Sequence, residues 1–490
     1  MTLFSDRLFM RNLALSEPAY RQLLTAVGHL FFWVYIAFSL IFYKERLLNF
    51  DSAYYTFHLL YHEDFFIIHG RTINYFTQWL PLLAIKSGAS LKTVLMLYSL
   101  SFMLLYYGAY NLIVYGIKNV EAGLFLVLSI CLTMRYKFYT GISEITITLA
   151  FFAILVAWLT KDPARFARLP RWADWGVAAL LSLLIYTGHP LAIWLIALFV
   201  GFDMLYSGRL KDPWYWGWFL ATAGLYLRRF LTIPAGSYEA GQVGRLEEAR
   251  HVLTHLPDYE VFHIVKWYFE TEYALPFLVF LGVTALIFRQ KKWLAGAYIL
   301  AATVAHVVLV LIHNSYIRGR IFFMIDGYLV YLGVIWAMAI FMALLRSKYR
   351  VWSFAVVLIL TTFSIDRIYK KHQFYTQRLD YITQTIKMHA TPTQRKFIVH
   401  PRYFNWEVMW VPAIMSLESL ILSSIENPKD AAVIYVAKYE DDIPKLAKKK
   451  NAILGAMPGV SHQGLNKRFF DLPPHEYIVI DTVAWPQSKK

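Results

Sequence analysis

Residues 73–85, INYFTQWLPLLAI, decide the architecture. The run is apolar, but it is thirteen residues long and interrupted by Pro81, whereas a helix needs roughly 20 residues to cross a bilayer. If it crosses, every later connector changes side. If it lies along one membrane face, the short connectors GIKN, KDPARFARLPR, SGRLK, RQKK and RSKYR all fall on the same side as the N-terminus. These connectors are basic and nearly free of acids, which is the bias of cytoplasmic loops. The interfacial reading is the consistent one.

Outward from that stretch, the chain reads as an α-helical polytopic membrane protein. Of 490 residues, 58% are hydrophobic and only 16% charged, far below the roughly one quarter charged residues of soluble domains. Apolar runs predict eleven transmembrane helices, near 23–43, 91–116, 120–134, 145–160, 173–187, 190–207, 213–229, 273–288, 293–313, 321–345 and 350–365. Residues 1–365 form this membrane domain, with outer loops at 44–90 and 230–272. Residues 366–490 change composition: the runs at 395–400, 431–437 and 477–481 read as strands and 412–425 and 441–450 as helices, giving a small extracytoplasmic α/β domain. Residues 1–22 carry Arg7, Arg11 and Arg21 and no small-residue cleavage pattern, so the first helix reads as a signal anchor.

The net charge of +16 is the usual product of basic residues kept at one face; no nucleic-acid-binding motif accompanies it, and nucleic acid is not an expected partner. The lone Cys131 sits in an apolar run and reads as packing. P-loop, GxGxxG, HExxH, GxSxG and CxxC motifs are missing. A transporter would show mid-span charges and inverted repeats; Asp203 is the acid that stands out within a span, and no repeat is visible.

Candidate chemistry therefore rests on ionisable residues gathered at one face, where charge near hydrocarbon costs free energy. Asp51, in LNFDSAYY, lies just past the first helix and suits a base that takes a proton from a hydroxyl; its ordinary reading is a loop acid or helix cap. Glu144, in YKFYTGISEITITL, opens the fourth span from the same face, a common place for an acid. Lys137 nearby offers a cation to phosphate. Arg228 and Arg229, in YLRRFLTIP, and Arg318 and Arg320, in HNSYIRGRIFF, form two pairs suited to a phosphate or pyrophosphate, or to interfacial anchoring. His189 and His313 read as structural before catalytic. Glu63, Asp64 and Arg71 read as loop charges able to pair with one another, and Arg71 joins the two histidines as a possible site residue. No set has metal-ligand spacing; a divalent metal is compatible with the acids but not indicated, and no cofactor is expected.

These features resemble the GT-C superfamily of polyprenyl-phosphate-dependent glycosyltransferases, such as protein mannosyltransferases and aminoarabinose transferases. LNFDSAYY falls where that family carries its first-loop Asp. GRTINYFTQWLPLLAIKSGASLKTVLMLYSL looks like the interface helix and second helix, TGISEITITLAFFAILVAWL like the entry to the fourth, and YIRGRIFFMIDGYLVYL like the late helix whose Arg contacts lipid phosphate. The resemblance covers residues 1–365 as topology and loose motifs. It implies catalytic roles for Asp51 and Glu144, and donor-phosphate binding by Arg318, Arg320, Arg228, Arg229 and Lys137. It implies a polyprenyl-linked sugar donor among membrane lipids and a protein or glycolipid acceptor; the expected location is a bacterial inner membrane with the C-terminal domain periplasmic, the endoplasmic-reticulum lumen being the alternative. The chain departs from the pattern in carrying Ser52 after Asp51 and a single acid, Glu144, at the entry to the fourth span where the family carries a paired acidic motif. A second function fits the thin acidic motif: a non-catalytic scaffold subunit with envelope protein partners.

Overall fold

The computed structural model describes residues 16–162, 169–234, 236, 240, 241, 244–317, 321–347, 349–455 and 460–486. The fold is that of a predominantly helical membrane protein. Five described helices are long and apolar enough to cross a bilayer: Glu17–Ile41, Leu91–Gly116, Trp293–His313, Phe322–Leu345 and Arg350–His389. A sixth crossing exists if Glu260–Glu272 and Ala274–Arg289, bent by 78° at Tyr273, count as one.

The expected eleven spans are therefore not present as eleven membrane-length helices. Val120–Cys131 has 12 residues, and Glu144–Leu159, Arg171–Tyr186 and Ala192–Ser207 have 16 each. At 1.5 Å per residue these reach about 18–24 Å, short of a hydrocarbon core of about 30 Å. Pro213–Leu231 is long enough, but Trp214, Tyr215, Trp216, Arg228 and Arg229 dilute its apolarity. Val120–Cys131 has every residue but Glu121 buried, so other helices, not lipid, surround it. The almost wholly buried Phe322–Ile340 forms the centre of the bundle.

Residues 75–86 form a helix of 12 residues, about 18 Å long. Its start lies where Asn74 donates to Glu144. Its end and the following turn accept two hydrogen bonds from Arg468 of the C-terminal region, at Ile85 O (2.8 Å) and Ala89 O (2.9 Å). Both ends thus belong to one end of the bundle. Tyr75, Phe76, Trp79 and Leu83 leave large apolar surfaces exposed along it, as expected for a helix in contact with a membrane face.

Helix Arg350–His389 runs 40 residues without a break, so the composition change at 366 falls inside a continuous helix. Beyond it, Lys396–Val399 pairs in parallel with Val433–Val436 on one side and Ile478–Ile480 on the other. Each strand lies within a run expected from its β-branched residues. Met415–Ser424 packs beside the sheet, where Ser419 Oγ accepts Ile434 N–H at 2.9 Å.

The placement of helix 75–86 predicts a labelling pattern. In separate variants, Asp64→Cys, Ser87→Cys and Lys449→Cys react with an impermeant maleimide from one side of sealed vesicles, and Lys291→Cys from the other. Cys131 is buried and contributes little background. Labelling of positions 64 and 87 from opposite sides would mean that the helix crosses.

Candidate functional site

Two irregular segments meet at the end of the bundle that carries the C-terminal unit: 42–50, after the first helix, and 132–143, before Glu144–Leu159. Each holds only a short helical stretch, Tyr43–Leu47 and the 3₁₀ turn Tyr136–Tyr139, and the peptide groups around these have no ladder of their own, so other donors and acceptors must satisfy them. Arg46, 1% exposed, donates to Phe138 O (2.5 Å) and Ser99 Oγ (2.8 Å). Asn49 donates to Tyr139 O (2.6 Å), Gly141 N–H to Arg46 O (3.0 Å), and Ile142 N–H to Ser52 Oγ (3.1 Å). Gly141 permits this approach, since a Cβ there would lie 3.1 Å from Arg46 O. These contacts bring Asp51 alongside Lys137 and Glu144.

Glu144, 8% exposed, is fully engaged. Arg71 Nη1 lies 3.1 Å from Oε2, while Tyr55 OH and Asn74 Nδ2 (3.3 Å) donate to Oε1. Arg71 is thus not a loop charge but the buried partner of Glu144. Asp51 is different. Its side chain is reached by water yet enclosed by protein, and it has no hydrogen bond or ion pair among the described residues. Burial pushes its carboxyl up to about 6; Lys137 opposes this, Glu144 adds to it, and Arg71 opposes it. Burial also lowers the Lys137 ammonium, against the pull of Asp51, Glu144 and Asp326. An accessible carboxyl near neutrality beside a lysine and an arginine can take a proton while cations face a departing anion.

His189 sits close to Arg71, Glu144, Arg229 and His313. Burial, reinforced by Arg71, brings it down to about 3, and its Nδ1 accepts Leu191 N–H (3.2 Å), so it is neutral with hydrogen on Nε2. His313 meets Tyr328 OH at 3.2 Å. Arg229 donates to Tyr186 O (2.8 Å) and lies over that ring, while Arg228 is exposed on its helix. Arg318 and Arg320 lie outside the described residues. Glu63 is held by Asn466 (2.6 Å) and faces Arg468 (3.8 Å). Asp203 takes Tyr215 OH, Ser207 and Arg209, a structural set at the opposite end.

Sequence reasoning missed two acids. Asp326, in the central helix, accepts Arg135 N–H (2.9 Å), Lys137 N–H (2.7 Å) and Tyr273 OH (2.6 Å), fixing the backbone that presents Lys137. Its signal was an acid one turn into a very apolar helix. Glu418, from the C-terminal unit and fully buried, accepts Phe50 N–H at 2.8 Å and pairs with Arg378. Phe50 has φ of +39°, a conformation that costs free energy outside glycine and asparagine. Glu418 therefore holds the backbone amide of the strained residue that precedes Asp51.

Among the described residues, no three His, Cys, Asp or Glu side chains group closely enough to hold a metal ion. Comparison with known proteins finds no matching family model, curated protein or solved structure.

The buried pair gives a stability prediction. Arg71→Met strands the Glu144 carboxylate and destabilises the fold by about 3 kcal/mol; adding Glu144→Gln recovers part of that loss. Chemical denaturation in detergent measures both, and an Arg71→Met protein as stable as wild type would contradict the pairing.

Proposed function

We propose that the chain is an integral-membrane glycosyltransferase that moves a sugar from a polyprenyl phosphate or pyrophosphate to an acceptor. The observation that carries this reading is Asp51, an accessible and unpaired carboxyl with Lys137 and Arg71 acting on it. In the reaction, an acceptor hydroxyl gives its proton to Asp51 as its oxygen attacks the anomeric carbon. The bond from that carbon to the phosphate oxygen breaks, and the phosphate leaves with the bonding pair. Lys137 faces the growing negative charge, which it stabilises most in the transition state. Glu144, held on both oxygens, keeps Arg71 in place and does not exchange protons.

A donor on a lipid chain suits a site at the membrane end of the bundle. The basic turns around Lys118, Lys161, Arg209, Lys291 and Arg346 lie at the other end, which fits a cytoplasmic face by the positive-inside rule. Asp51 and the C-terminal unit then face the periplasm of a bacterial inner membrane, with protein or glycolipid acceptors. A scaffold role reads Asp51 as a first-turn acid of helix Phe50–His62, and leaves its placement beside Lys137 without a use.

A panel of polyprenyl-phosphate sugars, supplied in vesicles with the purified protein, tests this reading. Asp51→Asn lowers transfer by about 10²–10⁴-fold, and Lys137→Met also slows it. Since Asp51 must be ionised to act, the wild-type rate rises with pH through about 6. Full activity in Asp51→Asn removes Asp51 from the chemistry.

A further inference from the structure

At the end of the bundle opposite Asp51, helix starts and connectors enclose a cleft of about 430 Å³. Six cations line it: Arg21, Lys118, Lys161, Arg209, Arg346 and Arg350. Three acids share the wall, Glu17, Glu121 and Asp162. Arg21 holds Glu121 (2.8 Å) and Glu17 (3.4 Å), and Arg350 also holds Glu17 (3.2 Å). Arg209 pairs with Asp203 (3.3 Å) and Lys161 with Asp174 (2.5 Å). Lys118 and Arg346 are exposed, and neither has an acidic partner among the described residues.

The wall is built rather than loose. Lys118 has φ of +60°, the left-handed region that a lysine seldom enters. The next residue pins it there: Asn119 N–H donates to Ile113 O (3.0 Å), and its side chain accepts Ala122 N–H (3.1 Å) and donates to Thr160 Oγ1 (3.2 Å). Helices Glu17–Ile41, Val120–Cys131 and Arg350–His389 all begin at this cleft, which adds the positive ends of three helix dipoles to the cations. A face that only retains basic loops spreads its charge over a convex surface. Here two unneutralised cations share a concave wall with three helix N-termini.

We propose that this cleft binds a phosphate-bearing head group, with Lys118 and Arg346 as its charged contacts. A phosphomonoester dianion suits one guanidinium and one ammonium at such a site. It could be offered by a lipid of the adjoining leaflet or by a soluble phosphate. The site is separate from Asp51 and stands whether or not that residue is catalytic.

The full chain, placed in nanodiscs of phosphatidylcholine with a minority of phosphatidic acid, is examined by native mass spectrometry, with inorganic pyrophosphate as competitor. Wild type retains phosphatidic acid in preference to phosphatidylcholine. Lys118→Gln/Arg346→Gln reduces that preference about tenfold, whereas Arg289→Gln/Lys291→Gln, exposed charges at the same end outside the cleft, leaves it intact. If the double variant melts early, single Lys118→Gln carries the comparison. Retention that pyrophosphate does not displace identifies a lipid as the source, and pyrophosphate binding lost in the cleft variant identifies a soluble one. The proposal is overturned if neither ligand binds, or if both variant pairs lose binding equally.

Discussion

Between Thr133 and Ile142 the chain has little regular helix to absorb its peptide groups, and side chains from distant parts of the sequence take them up instead. Tyr273 OH donates to Thr133 O (2.8 Å), Tyr375 OH to Tyr136 O (2.9 Å), Arg46 to Phe138 O and Asn49 to Tyr139 O. Asp326 receives the amides of Arg135 and Lys137, and Ser52 that of Ile142. Next to a bilayer an unsatisfied peptide group costs several kcal/mol. Irregular backbone buried among helices is therefore tolerated only if its neighbours supply partners one by one. Those partners determine where Lys137 and Glu144 stand, and the same bonds fix the start of helix Phe50–His62, whose first turn carries Asp51.

The C-terminal unit extends this constraint. Arg378, 2% exposed and on the long helix, donates to Leu48 O (3.4 Å) and Met409 O (3.3 Å) and pairs with Glu418. A buried pair of this kind is not a large net source of stability, but losing either member leaves an uncompensated charge. Its effect is geometric: it aims the second oxygen of Glu418 at the strained Phe50 peptide. A second buried node acts in parallel. Glu272 binds Lys371 (2.7 Å) and faces Arg135 (3.8 Å) and Arg367 (3.8 Å), clamping the long helix to the bend before Ala274. The C-terminal unit and the membrane helices thus form one framework around Asp51.

Much of this was legible locally. A largely apolar run of thirteen residues with a proline is too short to span, and the parallel strands announce themselves as short β-branched runs. The gathering of Asp51, Lys137 and Glu144 followed from placing helix 75–86 on one face. What was not legible depends on contacts far apart in the chain. Glu418, in MSLESLILSS, looks like any helical surface acid; it is buried only because Phe50, 368 residues away, presents its amide there. Arg71 reads as a loop charge until Glu144 is beside it. The count of eleven spans failed because hydropathy registers apolar runs and not helix length: short helices shielded by their neighbours, and one bent by 78°, look alike to it. The charged residues after 366 suggested a boundary, yet pairs such as Asp366 with Lys370 (2.8 Å) let the helix continue.

The central claim is that the C-terminal unit, through Glu418, holds the two irregular segments in register at Asp51. Hydrogen exchange of the full-length protein, read by mass spectrometry on peptides covering 46–55 and 136–146, tests it most directly. In wild type both peptides exchange slowly, and Glu418→Ala accelerates both together, although position 418 is remote in sequence from either. Fast exchange of these peptides in wild type, or a Glu418→Ala protein that loosens only residues 395–486, would contradict the account.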